Sequence, residues 1–346
     1  MSAGRPRFVP AAALLPASAE PAPPAGGGEP AAPLSGVAPA LAARLARDPA
    51  RPMVTFYDDA TGERVELSTA TLDNWVAKTA NMLVDTLGLV PGDRVGVDLP
   101  AHWMSTVVLL AAWSAGMEVL LAAETGPDGD GGPDAVNALF AAADRLEGDQ
   151  DRYAGVDIDE IVALSLRPLG GRLARPIPGA LDYAAEVLAH GDRFAAPPPP
   201  AGQAEMLRLA AAVGSGWQLT ADDRVLTAAE PASAAGLVTS LLAPLATGAS
   251  VVLCRNLDRL DDAALARRIA TERVTALDEQ VAARITPPEG VRPLPLPPGP
   301  LPPVPLPPAA GPAAENATAS AAGGRNRRDE NGSGAAGDGG NGGNRV

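Results

Sequence analysis

Two stretches of the 346-residue chain read alike, and together they limit the fold open to it. "PGDRVGVDLPAHWMSTVVLLAAWSAGMEVLLA", from Pro91, and "ADDRVLTAAEPASAAGLVTSLLAPLATGASVVLC", from Ala221, share an Asp-Arg-Val entry, an Ala-rich apolar stretch, a glycine and a short apolar run. Short apolar runs bounded by turn signals suit buried strands, and the longer Ala-rich stretches suit helices. Strands that alternate with helices predict a mostly parallel sheet covered by helices on both faces. The echo predicts that this arrangement occurs twice, giving an α/β chain of two similar lobes.

The segments around the echo extend the pattern. "MVTFYDDATGERVELS" is a β-hairpin whose turn, Asp58 to Gly62, ends on a residue free to take positive φ. Val37, Leu41 and Leu45 have helical spacing, stopped by Pro49 and Pro52. Leu72, Trp75, Val76, Thr79, Met82 and Leu83 share one face of an amphipathic helix that Ser68 can cap. "GGPDAVNALFAAADRLEG" reads as a helix with Pro133 in its first turn, "DEIVALSLRPL" as a strand and "PGALDYAAEVLAHGDRF" as a helix. "EMLRLAAAVGSGWQLT" and "LDDAALARRIATERVTAL" add helices, with a short strand at Val274–Leu277.

"RFAAPPPPAGQ", residues 193–203, separates the two halves. Four successive prolines fix φ and lack N–H donors, so this is a surface connection. Lobe one then spans 34–192 and lobe two 204–285. Residues 1–33, rich in Ala, Pro and Gly, and 286–346, rich in Pro, Gly and Asn, offer too few large apolar side chains to offset chain entropy and are expected to be disordered.

The net charge of −14 and an aromatic content of 3% argue against nucleic acid and anionic membrane as partners. Cys254 is the only cysteine, which excludes an internal disulfide and suits a reducing cytoplasm. Pro10 and Pro16 interrupt the N-terminal apolar stretch, so it does not read as a secretory signal. Gly116 and Glu118 divide the apolar run Met104 to Ala123, which reads as a helix followed by a buried strand.

No residue is assigned a catalytic, cofactor-binding or metal-binding role. Gly129–Asp134 precedes a helix, but its aspartates repel phosphate. Gly214-Ser215-Gly216 has no basic partner and reads as a loop. His102 sits where α/β folds place ligand groups, yet a capping or surface role suffices. His190 suits a helix C-terminus. Asp157, Asp159 and Glu160, and the pair Asp222 and Asp223, read as solvated turn charges, and Cys254 as a buried small hydrophobe. "RPLPLPPGPLPPVPLPP" favours polyproline II in a flexible tail, and the sequons at Asn316 and Asn331 carry no weight without secretion.

"RVELSTATLDNWVAKTANMLVDTLGLVPGDRVGVDLP", "LLAAWSAGMEVLL" and "LTADDRVLTAAEP…LLAPLATGASVVL" resemble the N-terminal domain of adenylate-forming enzymes, the acyl-CoA synthetases and the adenylation domains of peptide synthetases. More specifically, the chain resembles a short actinobacterial family of unknown function distantly related to them. The resemblance implies two topologically similar lobes and, between them, a Ser/Thr/Gly-rich loop ending in Lys that holds ATP phosphates. Here that place holds "RFAAPPPPAGQAEM", without a lysine; Lys78, on the early amphipathic helix, is the only one in the sequence. Further elements implied by the resemblance would follow residue 285, where the sequence becomes Pro-, Gly- and Asn-rich. The expectation is a truncated, catalytically incompetent homologue with no cofactor, whose partner is unknown: a small acyl or nucleotide ligand, or a protein. The alternative is an acyl-CoA synthetase-like enzyme that activates a carboxylic acid with ATP through non-standard residues.

Overall fold

In the computed structural model, which describes residues 6–15, 34–124, 135–148, 151–231 and 233–295, the chain builds two six-stranded sheets. It opens with β1 (Pro6–Pro10), α1 (Val37–Arg47), the hairpin β2 (Pro52–Asp58) and β3 (Glu63–Ser68), and α2 (Thr69–Asn81). Next come β4 (Arg94–Asp98), α3 (Trp103–Ser114), β5 (Glu118–Glu124), β6 (Ala135–Ala142), α4 (Ala143–Gly148), β7 (Asp157–Leu164), β8 (Leu181–Asp182) and α5 (Tyr183–Glu186). The second half has α6 (Ala201–Gly216), β9 (Arg224–Thr227), α7 (Ala234–Leu237), α8 (Ala243–Thr247) and β10 (Ser250–Arg255). It ends with α9 (Asp262–Thr271), β11 (Ala276–Asp278), α10 (Glu279–Arg284) and β12 (Arg292–Leu294).

The first sheet runs β1-β5-β4-β6-β7-β8, parallel except for β1. The second runs β12-β11-β9-β10-β2-β3, parallel except for β3. Both are the mixed, mostly parallel sheets that the strand–helix alternation predicts. Every residue of α3 is buried, which explains why "WMSTVVLLAAWS" lacks a polar face. One core cluster joins Val95 and Val97 of the first sheet, Val107 and Leu110 of α3, Leu207 of α6, and Val251 and Leu253 of the second sheet. Among the described residues no helix is long and apolar enough to cross a membrane.

The structure corrects five readings. Residues 6–15 are not structureless: β1 pairs antiparallel with β5, and Phe8 and Leu15 are buried, supplying apolar bulk that the surrounding Ala and Pro lack. Prolines fit at both ends of β1 because it is an edge strand. The "AVNALFAA" segment is not helix but β6, a strand between β4 and β7, where burial on both faces overrides the helix preference of alanine. Hairpin β2–β3 belongs to the second sheet, so lobe one as bounded at 34–192 supplies strands to both. The segment beyond 285 is ordered as far as Pro295, with β12 on the sheet edge and the Trp217 indole donating to the Pro295 carbonyl at 3.0 Å. "PGALDYAAEVLAHGDRF" yields only β8, α5 and a 3-10 turn at Val187–Ala189. Gly129–Asp134, the tail from 296, Asn316 and Asn331 lie outside the described residues.

Candidate functional site

In parallel sheets, ligands bind beyond the carboxyl ends of the strands. Those ends carry a row of charged residues here. β4 closes on Asp98, which is 1% exposed and gripped by Arg145, by Arg152 Nε at 2.7 Å and by the Tyr153 hydroxyl at 2.7 Å. β2 closes on Asp58, whose carboxylate accepts from Asn256 Nδ2 at 2.7 Å and from the Ala60 N–H. Burial alone would raise the Asp58 pKa, but those hydrogen bonds and the charge of Arg255 outweigh it and hold it below the usual value. β10 closes on Arg255, and among the described residues its guanidinium makes no hydrogen bond or ion pair.

The two sheets meet around His102. It caps α3 through Nδ1, which accepts the Met104 N–H at 3.1 Å, so the neutral ring carries its proton on Nε2. That Nε2 is buried, has no hydrogen-bond partner and lies 3.9 Å from Glu63 Oε2 at the start of β3. Burial drives the His102 pKa down to about 3, with Arg255 adding to the effect. Glu63 accepts the Leu169 N–H at 3.0 Å, and burial raises its pKa. The Trp103 indole N–H leans toward the same carboxylate without meeting hydrogen-bond geometry. The Ala101 N–H donates to Glu230 at 3.0 Å, tying the entry to α3 to the loop after β9; burial raises the Glu230 pKa too. Phe56 of β2 covers the His102 ring at 4.4 Å.

A short segment closes over this cluster. Leu166 and Leu169 have φ of 49° and 61°, an arrangement uncommon for leucine. Gly170, at φ 69°, takes the backbone conformation that favours glycine, and a Cβ there would also press on Met104 Cε at 2.7 Å. Leu169 is 81% exposed although its N–H is spent on Glu63. The inter-sheet region is therefore shut beneath residues 165–171.

The expected place of a phosphate loop is built differently. Residues 191–200 form an extended strap whose Pro199 lies where a Cβ on Gly36 would be, at 2.3 Å. Helix α2 pins it: Lys78 Nζ donates to the His190 carbonyl at 2.6 Å, and Asn81 Nδ2 to the Gly191 and Arg193 carbonyls at 2.9 Å each. Just beyond the strap, Gln203 accepts the Val37 N–H at 3.1 Å and donates to the Trp113 carbonyl at 2.7 Å. These contacts make the strap a tie between helices. A groove of about 600 Å³ runs beside it, lined by Leu41, Leu45, Asp73, Val76, Phe194 and Pro197 among others.

Of the residues weighed from sequence, His102 is a cap as expected but is buried rather than at the surface. His190 caps its turn and meets Thr86 through Nε2 at 2.9 Å. Asp157, Asp159 and Glu160 lie on β7, where Asp159 accepts from Asn137 at 2.9 Å. Asp222 is exposed, but Asp223 is no solvated turn charge: burial would raise its pKa, while bonds from Arg292, Thr275 and Thr220 overcome this and bring it down to about 2. Gly214 packs on Thr247 inside α6, so Gly214–Gly216 is helix end rather than loop. Cys254 is fully buried, and burial pushes its thiol up to about 12. Sequence reasoning missed Glu63, Asp98, Glu230 and Arg255. For Asp98 and Arg255 the signal was a charge placed immediately at the end of an apolar strand, as in "RVGVD" and "SVVLCR"; Glu63, which opens β3, and Glu230, in the loop after β9, carried no such mark.

The geometry has relatives. The family of AMP-binding enzymes matches residues 41–128. A crystallised anthranilate CoA ligase, in complex with anthranoyl-AMP, superposes with a TM-score of 0.56 at 14% identity, over 72% of this chain and 49% of its own. A benzoate CoA ligase from Burkholderia xenovorans does so at 0.55 and 17%, over 74% and 53%. The N-terminal domain of FACL13 from Mycobacterium tuberculosis does so at 0.54 and 14%, over 74% and 66%. The chain thus spans about half the length of the two CoA ligases and has the fold of such N-terminal domains. A Mycobacterium tuberculosis protein named for the TIGR03089 family is 44% identical over 239 residues, 67% of this chain and 93% of that protein, and on that likeness the chain belongs to the TIGR03089 family.

Proposed function

We propose that this protein is a binding module on an adenylate-forming scaffold that does not itself form acyl-adenylates. The observation that carries the reading is the strap. Where nucleotide phosphates would need a flexible run of backbone N–H donors and a cation, this chain has four prolines. Their neighbours are immobilised by Lys78, Asn81 and Gln203. Releasing that tie to grip phosphate would sacrifice the Gln203 bonds, buried hydrogen bonds whose loss costs roughly 1–3 kcal/mol for each group left unsatisfied. A cytoplasmic setting agrees with the single, buried, reduced cysteine. The direct test is ATP–pyrophosphate exchange by the purified full chain across a panel of aliphatic and aromatic carboxylic acids. Exchange at the blank rate is expected; robust exchange with any acid overturns the reading.

A second reading, activation of a carboxylic acid with ATP through non-standard residues, is favoured by one observation. The Arg255 guanidinium has no hydrogen-bond or ion-pair partner among the described residues and stands near buried Glu63, exposed Glu230 and the unsatisfied His102 Nε2, at the strand ends where an acyl carboxylate would be recognised. That reading requires residues 165–171 to open. It predicts a saturable thermal shift with a carboxylic acid plus ATP that Arg255→Ala abolishes.

A further inference from the structure

The opposite end of the second sheet carries a separate pocket. At the amino ends of β2, β9 and β10, a recess of about 380 Å³ is lined by Arg51, Asp222, Arg224, Ser250, Glu272 and Arg273 among others. In a chain of net charge −14 this is a local concentration of arginine. Glu272 and Glu66 engage Arg224 and Arg64, with Arg224 Nη2 2.5 Å from Glu272 and Arg64 Nη2 2.8 Å from Glu66. Arg224 Nε nevertheless stays buried without a hydrogen-bond partner. Among the described residues the Arg51 guanidinium is held only by Asp222, at 3.4 Å, and the Asp222 side chain is 95% exposed, so the pair is weak and easily exchanged. Arg273 has no ion pair among the described residues.

Positive charge continues behind the pocket. Arg44 is 8% exposed, donates to the Ala249 carbonyl next to Ser250, and has Nη2 without a partner. Burial first, then the like charges of Arg51 and Arg47, lower its pKa to about 10, with Asp48 opposing them. Arg47 reaches Gly248, where a Cβ would come within 3.4 Å of its Nη1. Of the other nearby carboxylates, Asp48 accepts the Ala50 and Arg51 N–H groups, and Asp223 is committed to Arg292, Thr275 and Thr220.

Arg273 gives an independent sign of use. Helix α9 ends with the Arg273 N–H on Ala270 and the Val274 N–H on Ile269, which puts Arg273 in the left-handed position where glycine is preferred; its φ is 51°. The chain tolerates strain to keep an arginine at this lip.

We propose that this pocket binds a doubly charged phosphate group, free or on a small phosphomonoester. Arg51 and Arg273 would supply the forked donors, and the incoming anion would take the place of Asp222 on Arg51. Arg224, which lines the same pocket, would add positive charge beneath them. The site is distinct from the carboxyl-end cluster and stands whether or not that cluster binds acyl groups.

Calorimetric titration of the full chain with inorganic phosphate, pyrophosphate and glycerol 3-phosphate in chloride buffer tests this. Saturable binding is expected, weakened about tenfold or more in Arg51→Ala and in Arg273→Gly and strengthened in Asp222→Asn, as charge-assisted hydrogen bonds require. Arg273→Gly should at the same time raise the thermal midpoint, because it relieves the left-handed arginine; weaker binding by a more stable protein separates ligand recognition from folding. Tighter binding of glycerol 3-phosphate than of phosphate assigns the site to an ester, and the reverse to the free ion. Absence of saturation with all three probes, or affinities unchanged in both arginine variants, overturns the proposal.

Discussion

His102 shows how much one ring can hold in place. Its Nδ1 caps α3, its face covers Phe56, and its Nε2 proton has no acceptor nearer than Glu63 at 3.9 Å. Because burial keeps its folded pKa at about 3, below the ordinary 6.5, folding excludes a proton that the unfolded chain accepts. The stability this contributes is complete above about pH 6.5 and is lost as the pH falls toward 3, by at most about 1.4 kcal/mol per pH unit. Glu63 and Glu230 oppose it, since their raised pKa values let the folded state take up protons first. Comparison with His102→Asn, which keeps a capping side chain, isolates the histidine: urea unfolding from pH 7 to 4 should give a stability difference that shrinks with acidification. A flat difference would show that the ring is not held neutral. Phe8, 1% exposed and standing where a Cβ on Gly96 would come within 2.9 Å of its ring, is a simpler case. Phe8→Ala should cost about 3–5 kcal/mol in the same assay.

At the scale of elements, the strap and β6 mark the two limits of what the sequence reveals. The strap is legible because proline has only a few roles: no N–H, fixed φ and therefore a surface path, and residues 191–200 take that path. What proline cannot reveal is its partner, Gly36, 163 positions earlier if counted from Pro199. Gly36→Ala should cost about 1–3 kcal/mol by overpacking. Gly202→Ala, two residues into α6 with nothing within 4 Å of its Cβ, should be neutral or gain up to about 1 kcal/mol from helix propensity. Equal costs at the two glycines would remove the strap contact from the account. β6 was hidden for the opposite reason: "AVNALFAA" has the local preference of a helix, and only its neighbours β4 and β7 make it a strand. The candidate site was half legible. His102 stood out by type and position, whereas Glu63 and Arg255 acquire meaning only when two sheets bring their ends together.

For the whole molecule, the order of strands decides how it unfolds. The chain lays down β2 and β3 of the second sheet, leaves to build most of the first, and returns through the strap to add β9 to β12. β10 must therefore find β2 across about 200 residues of sequence, pairing Val251 with Val54 and Leu253 with Phe56. α3, buried on every side, belongs to a core cluster that spans both sheets. The second half lacks a complete sheet of its own, and the core around the first half's α3 is shared with the second sheet, despite the likeness of the two in sequence. Calorimetry should accordingly show one cooperative transition for the described body, with calorimetric and van't Hoff enthalpies in agreement. A fragment of residues 204–295 keeps β9 but lacks β2, the other partner of β10, and leaves Val251 and Leu253 along a bare strand edge. It should be unfolded or aggregated, and adding residues 34–192 in trans should rescue it. A monomeric 204–295 fragment with a dispersed amide spectrum would mean that the halves fold as separate lobes, and that the shared core is a contact between finished domains rather than the condition for either.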